Sequence, residues 1–237
     1  MQNRGSKTTV RHILEKMPRL GIWMIALLVS ISLIQVGVLR FYDPPLTFSI
    51  IWDSILHRIQ SKPYRSPHFI WTPLESVSPH LQRAVLAAED QRFLHHHGFD
   101  MIEIRAAAKD IVRQQRLRGA STISMQTART VFLLPVRSLW RKALEAYYTA
   151  LIELLWNKRR IIEVYLNTVD WGSGIMGAEA ASRRYFKKSS RDLTPHQAAL
   201  LAAVLPNPHR LSPIDPDSHV KMRARKIMSD MPLMRSL

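Results

Sequence analysis

The stretch "AAEDQRFLHHHGFD", Ala87 to Asp100, runs an apolar helix straight into two adjacent carboxylates, a Phe and three consecutive histidines. Upstream, Ser78 can cap a helix with Pro79 at its first position, and Leu81, Ala84, Val85 and Ala88 form one apolar stripe. Glu89 follows Val85 by four residues and Leu81 by eight, so on a helix it shares their face. A carboxylate held there loses hydration, its pKa rises, and it becomes suited to act as a general base. The plainer alternative is that the helix ends at Ala88 and Glu89 faces water. His95, His96 and His97 are adjacent, so they cannot all reach one ion from a regular element, and no HExxH-type spacing is present. The expectation is no metal there, with one histidine packing back to orient the loop.

The chain has 237 residues, enough for one domain with a core plus an anchor. Thirty-four basic against 18 acidic residues give a formal charge of +16. A balance this basic points to polyanionic partners: nucleic acid, phosphorylated ligands or an anionic membrane surface. The absence of cysteine excludes disulfides and thiolate metal sites.

Residues 20–39, "LGIWMIALLVSISLIQVGVL", carry no charge. At about 1.5 Å rise per residue they cross a hydrocarbon core of about 30 Å. The run is too long for a signal-peptide core, and "RFYDPP" follows it in place of a small-residue cleavage site. An uncleaved transmembrane helix is expected. Arg4, Lys7, Arg11, Lys16 and Arg19 precede it, opposed only by Glu15, which places residues 1–19 in the cytoplasm and everything after residue 40 outside. Nucleic acid is then excluded on topological grounds, and lipid phosphates and cell-envelope polymers remain. Residues 40–62 read as a membrane-proximal segment with a short amphipathic helix near 46–60, and 63–237 as the functional domain.

From residue 78 the pattern is mainly helical. Helices are expected over Met101 to Gln115, from "STISMQTARTVFLL" with Ser121 as cap, over Ser138 to Trp156, over "RRIIEVYLN", over "AEAASRRYF", and over "TPHQAALLAAVL" up to Pro206. No run of period-two alternation reads as a strand. Glu145 follows Arg141 by four residues, so the two can meet on one helix face as an ion pair or hold a second carboxylate of a glycosyl-transfer site. Ser121 and Thr122 open a helix whose N–H groups and dipole suit an anion. Gln126, Arg129, Arg137, Arg141 and Lys142 extend this phosphate-binding inventory, although a basic surface against lipid headgroups has the same composition.

The order of motifs is recognisable. "EDQRFLHHHG" fits Glu-Asp-x-x-Phe-x-x-His-x-Gly, "GASTISMQTART" fits Gly-x-Ser-Thr-Ile-x-x-Gln-x-x-(Lys/Arg), "RKALE" fits Arg-Lys-x-x-Glu, and "RIIEVYLN" fits the next block. From about residue 63 to 231 the chain resembles the peptidoglycan glycosyltransferase family, the lysozyme-like domain also found in class A penicillin-binding proteins. With one span and no following transpeptidase, it looks like the monofunctional branch. The resemblance implies a mainly α, two-lobed, lysozyme-like fold with a small membrane-proximal jaw. It implies lipid II and the growing glycan strand as substrates, β-1,4 polymerisation with inversion, and inhibition by the donor mimic moenomycin. It implies a single-pass bacterial inner-membrane protein with a periplasmic catalytic domain, and cell-division or elongation proteins as partners.

By the same resemblance Glu89 is the catalytic base. Glu145 is the second essential carboxylate, helping the leaving pyrophosphate directly or through a divalent cation, Mg or Mn, with no cofactor otherwise required. Ser121, Thr122, Gln126, Arg129, Arg137 and Arg141 fall at the substrate pyrophosphates, and Asp90, Phe93, His96 and Gly98 shape the loop around the base. The chain departs from the family at Met125, at Arg129-Thr130 and at Lys187, where Gln, Lys-Asn and Gly are usual. Two alternatives stand beside this reading: a lysozyme-like glycosidase that cuts glycan, and an inactive membrane-tethered scaffold of the cell-wall machinery.

Overall fold

The computed structural model describes residues 5–44, 50, 54–55, 58–59, 68–112, 119–136, 138–172, 174–235 and 237. Arg137 and most of the expected 46–60 helix lie outside these residues. The chain forms two compact units, Met1–Tyr42 and Asp43–Leu237.

The first unit is one helix, α1 (Gly5–Leu39), 35 residues long. It extends well before the charge-free run, because helix formation follows backbone propensity and not hydropathy, and Lys, Arg and Leu are good helix formers. Within it, Gly21–Leu39 is long and apolar enough to cross a membrane. Ile22, Trp23, Ile25, Leu27 and Leu28 are exposed, as a lipid-facing surface requires. Ser30 and Ser32 donate their hydroxyls to the carbonyls of Ala26 and Val29, both at 2.8 Å, so neither brings an unpaired donor into the span.

The second unit is mainly helical: α2 (Pro79–Glu89), α3 (Met101–Val112), α4 (Ile123–Phe132), α5 (Leu139–Leu155), α6 (Lys158–Thr168), α7 (Ala178–Phe186), α8 (Pro195–Val204) and α9 (Ser218–Asp230). Caps set the boundaries. The Ser78 hydroxyl accepts from the His80 N–H ahead of α2, and Thr194 with Gln197 forms a reciprocal capping box ahead of α8. In α8 every side chain from Ala198 to Val204 is buried, as expected of a helix apolar all round. It packs between α2 and α9, while α4 packs against α5 and α6. Leu81, Val85, Ile161, Leu166 and Leu201 are fully buried. Each such side chain contributes about 1.5–3 kcal/mol relative to exposure. Arg160 on α6 donates to Asp43 at 2.9 Å and lies 5.4 Å over the Trp71 ring, which fixes the start of the unit to its interior.

Three details differ from the sequence reading. A two-stranded parallel sheet pairs β1 (His68–Phe69) with β2 (Ile175–Met176). Two residues per strand are too few to show period-two alternation. The cap of α4 is Thr122, one residue after Ser121: its hydroxyl accepts from the Met125 N–H at 3.2 Å and donates to the Gly98 carbonyl at 2.6 Å. The C-terminal helix α9 was not anticipated, although Asp217 caps it and Val220, Ala224 and Ile227 are its buried stripe.

Candidate active site

α2 ends on Glu89, with Asp90 as its C-cap, so Glu89 does continue the buried stripe. Its side chain is 15% exposed. Oε2 accepts from Gln126 Nε2 of α4 at 3.1 Å, and Oε1 accepts from Arg223 Nη2 of α9 at 3.2 Å. The same Nη2 donates to the Ala88 carbonyl at 3.3 Å. Burial pushes the Glu89 carboxyl above its ordinary value of 4.5, and the neighbouring Asp90 charge adds to this. The Gln126 hydrogen bond and the charges of Arg223 and Arg129 pull the other way without cancelling the effect of burial. The result is a carboxylate more basic than a free one, with both oxygens held.

Asp90 turns away from Glu89 and ties the loop to α4. Its carboxylate accepts from His96 Nε2 at 2.9 and 3.1 Å and from the Ile123 N–H at 3.0 Å. The expected anion-ready N-terminus of α4 is therefore already occupied at its first N–H by Asp90 and at Met125 by Thr122, since two nearby side chains outcompete a distant ligand for those donors. Of the three histidines only His96 is buried. Phe93, 1% exposed, meets His96 edge-on at 6.3 Å and carries the Lys158 ammonium 4.4 Å above its ring. Gly98 is required here: φ is +87°, and a Cβ would lie 2.8 Å from Thr149 Cγ2.

These elements enclose a cavity of about 450 Å³ whose walls include Glu89, Asp90, Ser121, Thr122, Gln126 and Arg223. Arg129 is exposed at the last turn of α4, near enough for its charge to act on Glu89. Glu145 and Arg141 do not line the cavity. Glu145 is fully buried on α5, accepting from Arg141 Nη1 at 2.7 Å through Oε2 and from Lys142 Nζ through Oε1. Both the ion pair and the buried carboxylate read from the sequence are thus present in one cluster. Each Glu145 oxygen accepts from one cation, so a divalent ion at this carboxylate would share it with Arg141 and Lys142 or displace one of them. Among the described residues no group of three or more His, Asp or Glu side chains is arranged to hold a metal ion. Met125 is buried at 7% exposure on the opposite side of α4 from solvent, where a thioether packs without unmet hydrogen bonds.

Arg223 and Tyr165 belong to this site and were not read from the sequence. Their partners lie 134 and 39 residues away, and no local pattern marks which cation or phenol turns inward.

The transglycosylase family model matches residues 54–232. The biosynthetic peptidoglycan transglycosylase of Aeromonas hydrophila is 46% identical over 214 residues, which cover 90% of this chain and 88% of that one. The protein of the same description from Stutzerimonas stutzeri is 44% identical over 227 residues, covering 94% and 90%. That of Rhodospirillum centenum is 53% identical over 165 residues, covering 70% and 71%. With a family model spanning three quarters of its length and relatives this similar along most of both chains, the protein belongs to the transglycosylase family.

Proposed function

We propose that this protein is a peptidoglycan glycosyltransferase that polymerises lipid II into β-1,4-linked glycan strands and releases undecaprenyl pyrophosphate. The observation that carries the reading is Glu89: a largely buried, polar-bonded carboxylate of raised basicity on the wall of a cavity of about 450 Å³. Glu89 takes the proton from the 4-hydroxyl of the acceptor GlcNAc. That oxygen attacks C1 of the terminal MurNAc of the donor strand as the C1–O bond to pyrophosphate breaks. One displacement turns an α-linked phosphate into a β-glycosidic bond, so configuration inverts. Burial strengthens the base, and the donors on its two oxygens favour the ionised form that can accept a proton.

Ser121 on the cavity wall serves the donor pyrophosphate, together with Arg129, whose charge reaches Glu89, and Arg137. Thr122 supports them by closing the Gly98 loop on α4. Gln126 acts on the base rather than on phosphate. Glu145 is a positioning residue: it holds the Arg141 and Lys142 side chains at the first turn of α5, and these two cations serve the leaving pyrophosphate. The basic excess beyond residue 40 suits two pyrophosphate-bearing substrates at a membrane surface. Residues 1–19 are cytoplasmic and the catalytic unit is periplasmic, by the five-to-one basic excess before the span.

Purified full-length protein in detergent, given labelled lipid II and, separately, preformed peptidoglycan, tests the activity. Polymer from lipid II is expected; muropeptides released from peptidoglycan would assign a glycosidase instead. A reporter active only in the periplasm, fused after Leu237, should give signal; a silent but stably expressed fusion would invert the topology.

A further inference from the structure

Three helices meet in one hydrogen-bond chain behind the base. Tyr165 on α6 is 2% exposed and donates its hydroxyl to Gln126 Oε1 on α4 at 3.2 Å. Gln126 Nε2 then donates to Glu89 Oε2 at the end of α2 at 3.1 Å. A glutamine amide is nearly symmetric in shape and can present either end to a neighbour. Which end faces Glu89 is chemically decisive. The N–H end stabilises a carboxylate; the oxygen end repels it and instead accepts from the protonated acid.

We propose that Tyr165 is a positioning residue for the general base, its hydroxyl fixing the Gln126 amide so that the N–H, and not the oxygen, faces Glu89. This rests on the reading of Glu89 as the base. The warrant is the bookkeeping of donors. With the amide as found, the Tyr165 proton goes to Oε1 and each polar atom in the chain has a partner. With the amide reversed, Nε2 would donate to the tyrosine oxygen, and the phenol proton would be left without an acceptor among the described residues, in a buried position where an unmet donor is costly. The phenol stays a donor at every working pH, because burial pushes it well above the ordinary 10, with the charges of Glu89 and Asp90 adding and Arg129 opposing.

Tyr165 thus biases the site toward the ionised, proton-accepting form of Glu89. The other charged groups facing the base are Arg223 from α9, Arg129 from α4 and the adjacent Asp90. Arg223 holds only the other oxygen, Oε1, so it cannot substitute for the Gln126 bond at Oε2.

The test is steady-state polymerisation of lipid II by full-length protein, with kcat, KM and pH profiles for Tyr165→Phe, Gln126→Leu and the double variant. Tyr165→Phe should lower kcat about tenfold with KM little changed, and move the acid limb of kcat upward by up to about one pH unit, the scale of one hydrogen bond. The double variant should match Gln126→Leu alone within about twofold, since without the amide there is nothing to orient. An unmoved acid limb in Tyr165→Phe, or a double variant that loses the product of the two single effects, overturns the proposal. If Tyr165→Phe does not fold, the comparison of Gln126→Leu with the double variant still decides, because Phe beside Leu leaves no unmet polar group. Glu89→Gln separates the two readings. If it stays active, the base assignment itself fails; if it is dead while the Tyr165 effects are missing, only the present inference fails.

Discussion

Replacing Glu145 with Gln tests the buried charge cluster on α5. Glu145 is fully buried and both of its oxygens accept from cations, while the Arg141 and Lys142 side chains are 19% and 48% exposed. The amide keeps the volume but has one acceptor oxygen and turns an N–H₂ group toward a cation, so one partner loses its bond. Removing one member of a fully buried pair costs about 3–5 kcal/mol, whereas a surface pair is worth about 0–1. Lys142 can extend into water and Arg141 can do so in part, which places the cost between these limits, at about 1–3 kcal/mol. For a unit of this size each kcal/mol moves Tm by about 2–4 °C, so a fall of about 2–12 °C is expected in a thermal melt. Polymerisation should fall much further than this loss explains, because the two cations lose their fixed direction. The triple variant Arg141→Met, Lys142→Met, Glu145→Leu should recover part of the stability, since it removes the buried carboxylate together with the cations that face it. It should remain inactive. A Glu145→Gln protein with unchanged Tm and near-normal polymerisation would refute this reasoning and reduce the cluster to an incidental ion pair.

Gly98→Ala forces a side chain into a left-handed backbone position and against Thr149, so a loss of about 2–4 kcal/mol in urea unfolding is expected, with activity reduced through the displaced His96–Asp90 loop. The raised Glu89 carboxyl should place the acid limb of the rate above the ordinary glutamate value of 4.5; a limb at or below that value would contradict burial as the dominant cause. The folded state also holds this proton more tightly than the unfolded chain, so the stabilising contribution is complete below 4.5 and is lost as pH rises through the raised value. Glu89→Gln should therefore melt higher than wild type at neutral pH, with the gap closing in acid. Lys187 sits at φ 58°, ψ 30° after α7, with only an exposed bond from Nζ to the Arg184 carbonyl in return, so Lys187→Gly should stabilise by about 0.5–1 kcal/mol in the same urea assay.

Much of the mainly α, lysozyme-like architecture was legible in the sequence because its determinants are local. Ser78 followed by Pro79, the stripe from Leu81 to Ala88, and Thr194 with Gln197 announce α2 and α8 without any tertiary information. Helical spacing put Glu89 on that stripe only if the helix ran past Ala88, and α2 does run to Glu89. One inward histidine was expected from the residues alone, the resemblance pointed to His96, and it is His96 that bonds Asp90. What the sequence could not show is which distant group completes each local feature. Asp90 takes the first N–H of α4 from 33 residues away, a partner that no local pattern marks. Arg223 is one of many cations in a basic C-terminal helix, and only the packing of α9 beside α2 selects it. Tyr165 looks like an ordinary core aromatic until α6 brings its hydroxyl to Gln126.

The most direct measurement of the central claim is glycan synthesis from labelled lipid II by wild-type protein and by Glu89→Gln, both shown to be folded by their melting transitions. The account predicts that wild type yields glycan strands degraded to disaccharide units by a muramidase, and that Glu89→Gln loses about 10²–10⁴ in rate, as expected on removing a general base. Retention of more than about a tenth of the wild-type rate, against that scale, would contradict the assignment of Glu89 and with it the proposed chemistry of the cavity.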